Sequence, residues 1–255
     1  VYKSFTAEQY KKHMSLPDDY RVDGVLCYGT LYEERMIVEL QEFLEEMGIK
    51  FELNYLANPF LRFARELRIG DKKLWFMIGY GGAWISEYLH FACLFGSKKN
   101  ILVGSCGGLK QGIQTGDFVI PISSFAEESS VRLYNRESPI QYADEQLSDS
   151  LKNRLAREQV DVWCGPLVTC QAMLGETEDD VRNWSAQGYY AVEMESSTVF
   201  AVSKHFNVPS AACMYVADNL IEQHTALSDD FAIEHKAREQ KRHQQLKIVI
   251  QELLA

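Results

Sequence analysis

Two glutamates flank one methionine in the stretch AVEMESSTVFAVSKHF, where Glu193, Met194 and Glu195 stand at the junction of a strand-like run and a helical pattern. In extended backbone the two carboxylates point to opposite faces. A carboxylate can accept the paired hydroxyls of a sugar; an acid at a helix start is also favoured by the helix dipole, and the spacing leaves both readings open. Another acid, Asp218, ends the apolar run CMYVADN. Ligands of α/β sheets gather outside the carboxyl ends of strands, and burial beside Met214, Val216 and Ala217 should raise this carboxyl's pKa, as a general acid requires. Asp followed by Asn is equally a common turn.

Two glycine turns offer backbone to a ligand. In NILVGSCGGLKQGIQTGDFVIP an apolar run enters Gly104-Ser105-Cys106-Gly107-Gly108, where the chain can approach a ligand closely and Ser105 can donate a hydrogen bond. A tight structural turn is the plainer reading of that stretch. In GTLYEER, Gly29 follows the run VLCY and opens an amphipathic pattern through Met36, Ile37, Leu40, Phe43 and Leu44. A glycine turn into a helix start suits a phosphate, because the first helical N–H groups lack internal partners. This one carries Glu33 and Glu34 before Arg35, and Thr30 with Glu33 also fits the T-x-x-E capping box.

Positioning these groups requires strands that end together. Short β-branched or aromatic runs recur at DGVLCYG, ELNYLA, KLWFMIGYG, NILVGS, DFVIPIS, CGPLVTC, YYAVEM and SAACMYVAD. Between several of them lie helical patterns at AWISEYLHFACLFG, DEQLSDSLKNRLARE, ETEDDVRNWSAQ and EMESSTVFAVSKHF. The alternation predicts an α/β fold, one domain with a central mixed, mostly parallel sheet flanked by helices. A last long helix is expected from about Ser228, with Phe231, Ile233, Leu246, Val249, Ile250 and Leu253 on its apolar side and the cluster HKAREQKRHQQ as a solvated face.

The chain of 255 residues is 46% hydrophobic and carries a formal charge of −10, which argues against a nucleic-acid or anionic-membrane partner. Its six cysteines include no C-x-x-C pair, so zinc and a disulfide framework are not expected. No signal-peptide-like stretch and no membrane-spanning run is visible, and a reduced, cytoplasmic setting is the expectation.

These segments, in this order and at comparable separations, resemble the nucleoside phosphorylase and nucleosidase family, which includes the hexameric purine nucleoside phosphorylases, the uridine phosphorylases and 5'-methylthioadenosine/S-adenosylhomocysteine nucleosidase. VEMES and GSCGGL…GDFVIP carry the likeness. It leaves residues 1–22 as an N-terminal extension, with FTAEQYKKHM as a small helix, and makes 23–255 a nucleoside phosphorylase-like domain with a distorted, barrel-like sheet. By resemblance Glu195 would hold the ribose 2'- and 3'-hydroxyls, with Met194 against the sugar and Glu193 in support. Ser105, Cys106 and Gly107 would line the sugar and base, and Met173 falls where relatives place an aromatic against the base. Asp218 falls on the acid that protonates N7 of a leaving purine; Ala217 replaces the usual serine, leaving Asn219 to orient the acid. The arginine that partners this acid in the hexameric phosphorylases has no counterpart in QHTALSDDF.

The resemblance also frames the acceptor. Phosphorylases of the family carry an arginine in the first glycine loop and another two residues before the glycine of GS, where this chain has Leu102. Read without a gap from Gly29, Glu33 replaces the loop arginine and Glu34 falls on the nucleosidase's water-activating glutamate. A two-residue insertion would instead place Arg35 at the phosphate. Hydrolysis of a purine nucleoside is therefore slightly favoured. Phosphorolysis, with inorganic phosphate as co-substrate, is the alternative, and a non-catalytic ligand-binding or storage relative the third. No metal or cofactor is implied. The expected assembly is a homodimer or homohexamer with shared sites, to which Arg62 or Arg65 could contribute.

Overall fold

The computed structural model describes residues 1–127, 130–222 and 235–255. Strand β1 (Gly24–Gly29) lies between β4 (Lys72–Gly79) and β5 (Asn100–Gly108), parallel to both. Its unbroken apolar run follows from burial on both faces. Beyond its contact with β1, β5 pairs in parallel with β10 (Ser210–Asn219) and, at Gly107 and Gly108, antiparallel with β9 (Ala191–Glu193). Strand β10 pairs with β6 (Phe118–Ala126), β6 with β8 (Val162–Thr169), and β8 with β9. The path returns to β5 and closes a five-stranded ring. An arm of β1, β4, β3 (Ala64–Ile69) and β2 (Phe51–Tyr55) extends from it, and β7 (Ile140–Tyr142) borders β6. The two longest ladders, β5–β10 and β6–β8, are parallel, and the sheet is mixed as expected.

Every predicted strand forms, and so do all four internal helices: α3 (Gly82–Leu94), α5 (Glu145–Arg157), α6 (Glu178–Ala186) and α7 (Ser196–His205). Helix α1 (Ala7–His13) carries a Thr6–Gln9 capping box and lays Tyr10 edge-on to Phe91 of α3 at 5.0 Å. Past it, Met14, Tyr20 and Val22 enter the same core as α3. Helix α2 (Glu33–Glu46) packs on the opposite side, and a one-turn α4 (Val131–Tyr134) rests near α7.

Helix α8 (His235–Leu254) corrects one expectation. Leu246, Val249, Ile250 and Leu253 are buried as predicted, while Phe231, Ile233 and the stretch 223–234 lie outside the described residues. The basic cluster, however, is not a solvated face: Arg238, Arg242 and Gln245 are buried. Arg242 forks onto both carboxylate oxygens of Glu39 in α2, at 2.7 and 2.8 Å, and Gln245 donates to the carbonyls of Gly104 and Cys213. Charge on the inner side of α8 is tolerable because a buried acid and two strand carbonyls meet it.

Helices α3 and α7 meet closely at Gly82, where a β-carbon would collide with the buried hydroxyl of Thr198. Gly82→Ala should lower stability by about 1–3 kcal/mol, read as a lower urea midpoint, and adding Thr198→Ala should recover part of the loss.

Candidate active site

The carboxyl ends of β1 and β4 finish side by side, with Gly29 opposite Gly79 and, on its other side, Gly104, beyond which β5 continues to Gly108. After β4 the chain turns through Tyr80 and Gly81, whose φ of +83° is a glycine conformation, and starts α3. The N–H of Gly81 donates to Oε1 of Glu195 at 2.7 Å. The other oxygen, Oε2, lies where position 29 has no side chain: a β-carbon there would be 2.5 Å away. The glycine loop that looks built for an anion thus receives the protein's own carboxylate. Gln171 completes the cradle, accepting from Gly82 N–H at 2.9 Å and donating to Met194 O at 2.8 Å.

The two readings of EME separate onto its two acids. Glu193 accepts from the N–H groups of Glu195 and Ser196 at 2.7 and 2.6 Å, and from the hydroxyls of Ser196 and Thr169 at 2.7 and 2.6 Å. It therefore anchors the start of α7, serving the free amides there. Glu195 occupies the N-cap position without capping through its side chain, and points to Gly29 and Gly81 instead. Burial raises both acids' pKa values. Four donors keep the shared negative charge on Glu193. Burial first, then the charge of Glu193, push Glu195 up to about 8 against its bonds from backbone N–H groups. The shift favours its protonated form, which can donate as well as accept.

Asp218 owes its position to a bulge. The β10–β5 register shifts between Val216 and Asp218, so Ala217 is passed over and Asp218 pairs with Gly107. A β-carbon on Gly107 would sit 3.4 Å from Asp218 Oδ1 and closer still to Leu220. The glycine makes room for both. Ser105 and Gly107 share one face of β5, and Ser105 is exposed; Cys106 turns inward, its thiol near Tyr215 O at 3.5 Å and its pKa raised by burial. Met194 is nearly buried, and Met173 stands half exposed on a short turn between β8 and α6. Asn219 has no group left for a base: its amide donates to Lys110 O and Ile113 O, and its oxygen accepts from Ile221 and Glu222 N–H. It holds the strand end that carries Asp218.

The GTLYEER loop is arranged differently from its capping-box pattern. Thr30 accepts from Tyr32 N–H at 3.2 Å, and α2 begins at Glu33 without a side-chain cap. Glu33 is drawn instead to Arg65, whose guanidinium lies 3.8 Å from the Tyr55 ring centre. Arg35 binds Glu39 at 2.8 Å, the acid also held by Arg242. Glu34 is exposed and lines, with Arg35, Val38, Glu39, Glu42 and Glu239, an open groove of about 350 Å³ between α2 and α8. The rim thus gathers Gly29, Ser105, Gly107, Glu193, Met194, Glu195 and Asp218, while Glu34 and Arg35 face that groove. Gly81, Gln171, Tyr80 and Glu176 were missed in the sequence. Tyr80's phenol pKa is raised by burial and then by the charges of Glu195 and Glu176. The signal for Gly81 was present in GYGG, a glycine turn between strand and helix like the one at Gly29.

Residues 64–255 match the model of the phosphorylase superfamily, and the chain belongs to that family. It is 28% identical over 137 residues to a guanosine phosphorylase of Halorubrum lacusprofundi, covering 53% of this chain and 57% of that protein. It is 24% identical over 212 residues to a DeoD-type purine nucleoside phosphorylase of Clostridium beijerinckii, covering 82% of this chain and 86% of that one. The chain thus spans little more than half of the first relative's length and most of the second's. The fold is shared with the 5'-methylthioadenosine/S-adenosylhomocysteine nucleosidase of Helicobacter pylori, with a TM-score of 0.69 at 15% identity over 91% of this chain and 98% of that one. The futalosine hydrolase of the same organism gives 0.67 at 16% identity over 91% and 97%. The resemblance in the motifs and the barrel-like sheet are both confirmed.

The raised pKa of Glu195 links stability to pH. Folding holds a proton there that the unfolded chain releases near 4.5, so the stabilisation is complete below that pH and is lost as pH rises toward 8. Glu195→Gln keeps an acceptor for Gly81 and loses the dependence. Its melting temperature should exceed that of the unaltered protein by roughly 3–8 °C at pH 8 and by little at pH 4.5. Equal differences at the two pH values in paired thermal melts would refute the assignment.

Proposed function

We propose that the chain cleaves the N-ribosidic bond of a purine nucleoside, with water as the acceptor. The observation that carries the reading is the pairing at one rim of a carboxyl cradled by Gly29 and Gly81 with a second on the bulged end of β10. Breaking such a bond leaves an oxocarbenium-like sugar and an electron-rich base, so a site needs a sugar clamp of no positive charge and an acid at the base. Glu195, donor and acceptor at once, suits a pair of vicinal hydroxyls, with Met194 against the sugar and Ser105 and Gly107 beside it. Asp218 gives its proton to the leaving base as the C1'–N bond breaks. Water adds its oxygen to C1', yielding free purine and free sugar. Glu34 is the acid we assign to take the water's proton, which requires its side chain to turn from the α2–α8 groove toward the rim. The reaction needs no cofactor.

Phosphate as acceptor would call for unengaged guanidinium forks at the rim. Arg35 and Arg65 are each engaged by an acid, and Leu102 is fully buried in the core. These placements favour water. The phosphorylase relatives support a purine and make phosphorolysis the second reading. In an assembly with shared sites, Arg62, exposed beside Phe63, is the residue a neighbouring copy could receive.

Incubation with inosine, adenosine and methylthioadenosine, with and without phosphate, separates the readings. Free sugar formed without phosphate is expected, and ribose 1-phosphate formed only with phosphate would overturn hydrolysis. Asp218→Asn should lower kcat by about 10²–10⁴-fold, and unchanged turnover of every nucleoside tested would overturn the role given to Asp218.

A further inference from the structure

The ladder between β8 and β9 reaches Thr169 opposite Glu193, and one residue further on Cys170 N–H donates to Glu193 O at 2.8 Å. Beyond it a side chain carries the contact on: the Gln171 carboxamide donates to Met194 O at 2.8 Å. Its oxygen turns the other way and accepts at 2.9 Å from the N–H of Gly82, the first residue of α3. The two partners fix which end of the amide faces which, because an N–H can only donate and a carbonyl only accept. The side chain also lies along the glycine turn itself. A β-carbon on Gly81 would stand 3.3 Å from its oxygen, and one on Gly82 3.5 Å from its nitrogen. Gly81 is the residue whose N–H holds Glu195, and Met194 is the residue before that acid.

We propose that Gln171 is a positioning residue for the sugar clamp: its carboxamide ties the Gly81–Gly82 turn to the Met194 carbonyl and so sets the hydrogen bond between Gly81 and Glu195. The link to the sugar rests on the role given to Glu195 and Met194 above. Gly81 and Glu195 are the N-cap residues of α3 and α7, and a bond between two helix starts holds only while their separation is kept. Gln171 spans that separation from a third element, the end of β8. The task requires an amide. A carboxylate in its place could accept from Gly82 but would meet Met194 O oxygen to oxygen, with no proton to share; a protonated carboxyl offers donor and acceptor again. An alanine offers neither, and leaves Gly82 N–H and Met194 O without this partner.

The first measurement needs no substrate and reads the bond at its donor end. In glycine-¹⁵N-labelled protein the Gly81 amide proton should move downfield as Glu195 ionises, since a hydrogen bond to a charged acceptor is the stronger. Glu193, the Tyr80 phenol and the Cys27 thiol lie within the field of Glu195, but the Gly81 amide is bonded to Glu195 itself and follows that carboxyl. In Gln171→Ala the excursion should shrink by roughly half or more; Gln171→Met, close in length, takes its place should the alanine variant fail to fold. A full excursion in the variant, or none in the unaltered protein, would refute the proposal. A chain that cleaves no nucleoside would sink the proposed function and leave this result readable. With a substrate in hand, Gln171→Glu separates positioning from bulk. Its kcat/KM, relative to the unaltered protein, should be nearly restored at about pH 5 and about tenfold lower at about pH 8, where its carboxyl has lost the proton that Met194 O needs. A ratio that does not change with pH would count against Gln171 as surely as an unmoved Gly81.

Discussion

One buried carboxylate organises the rim: Glu195, held between the missing side chain of Gly29 and the N–H of Gly81. The contact joins the end of β1, the first turn of α3 and the start of α7, which are far apart in the chain. Each participant serves it through what it lacks or frees. Gly29 lacks a β-carbon, Gly81 takes a positive φ, and the starts of two helices present amides without helical acceptors. Glu193 makes the arrangement possible by taking the amides of α7 on itself, which leaves Glu195 free of the capping role its position would otherwise impose.

This division of labour explains what the sequence could and could not disclose. Periodicity placed the eight predicted strands and four internal helices, because most are long and their burial is one-sided or complete. It missed β3, whose Arg65, Glu66 and Arg68 break the apolar signal; the strand survives because Glu33 meets Arg65, and Tyr20 meets Glu66 at 2.8 Å. The same blindness to pairing made the basic stretch of α8 read as a solvated face. A charge is buried or exposed according to its partner, and Glu39 lies about two hundred residues away from Arg242. In EME the spacing established that the two acids face apart but not which would meet the helix start. The bulge at Ala217 was equally silent, since it is a property of two strands paired.

Acids dominate the neighbourhood of the rim: Glu193, Glu195, Asp218 and Glu176. Such a cluster would repel itself if every member were ionised, and the structure limits that in two ways. Glu193 has donors enough to carry charge, whereas burial pushes Glu195 and Glu176 toward their protonated forms. The result is a site that can both offer and accept protons near neutrality, with its fixed negative charge concentrated beneath the sugar position we assign. On the reading we propose, a cation-like sugar developing there would meet a field already in place, without reorganisation at the moment of reaction.

The same field bears on the second reactant. A phosphate ion would approach a rim of carboxyls, and its approach is favourable only if guanidinium groups outweigh them. In this chain Arg65 is already matched by Glu33, and Arg35 is held at Glu39 beside Arg242, so neither guanidinium stands unengaged at the rim. Withdrawing Arg65 to serve phosphate would take from Glu33 the guanidinium that now meets it, whereas Glu39 would keep the fork of Arg242 if Arg35 turned away. Water carries no charge and meets no such opposition. Its difficulty is the reverse one, weak nucleophilicity, which a carboxylate base near the glycine loop remedies. The engagement of the arginines around α2, more than the identity of any one loop residue, is therefore what supports the hydrolytic reading we propose.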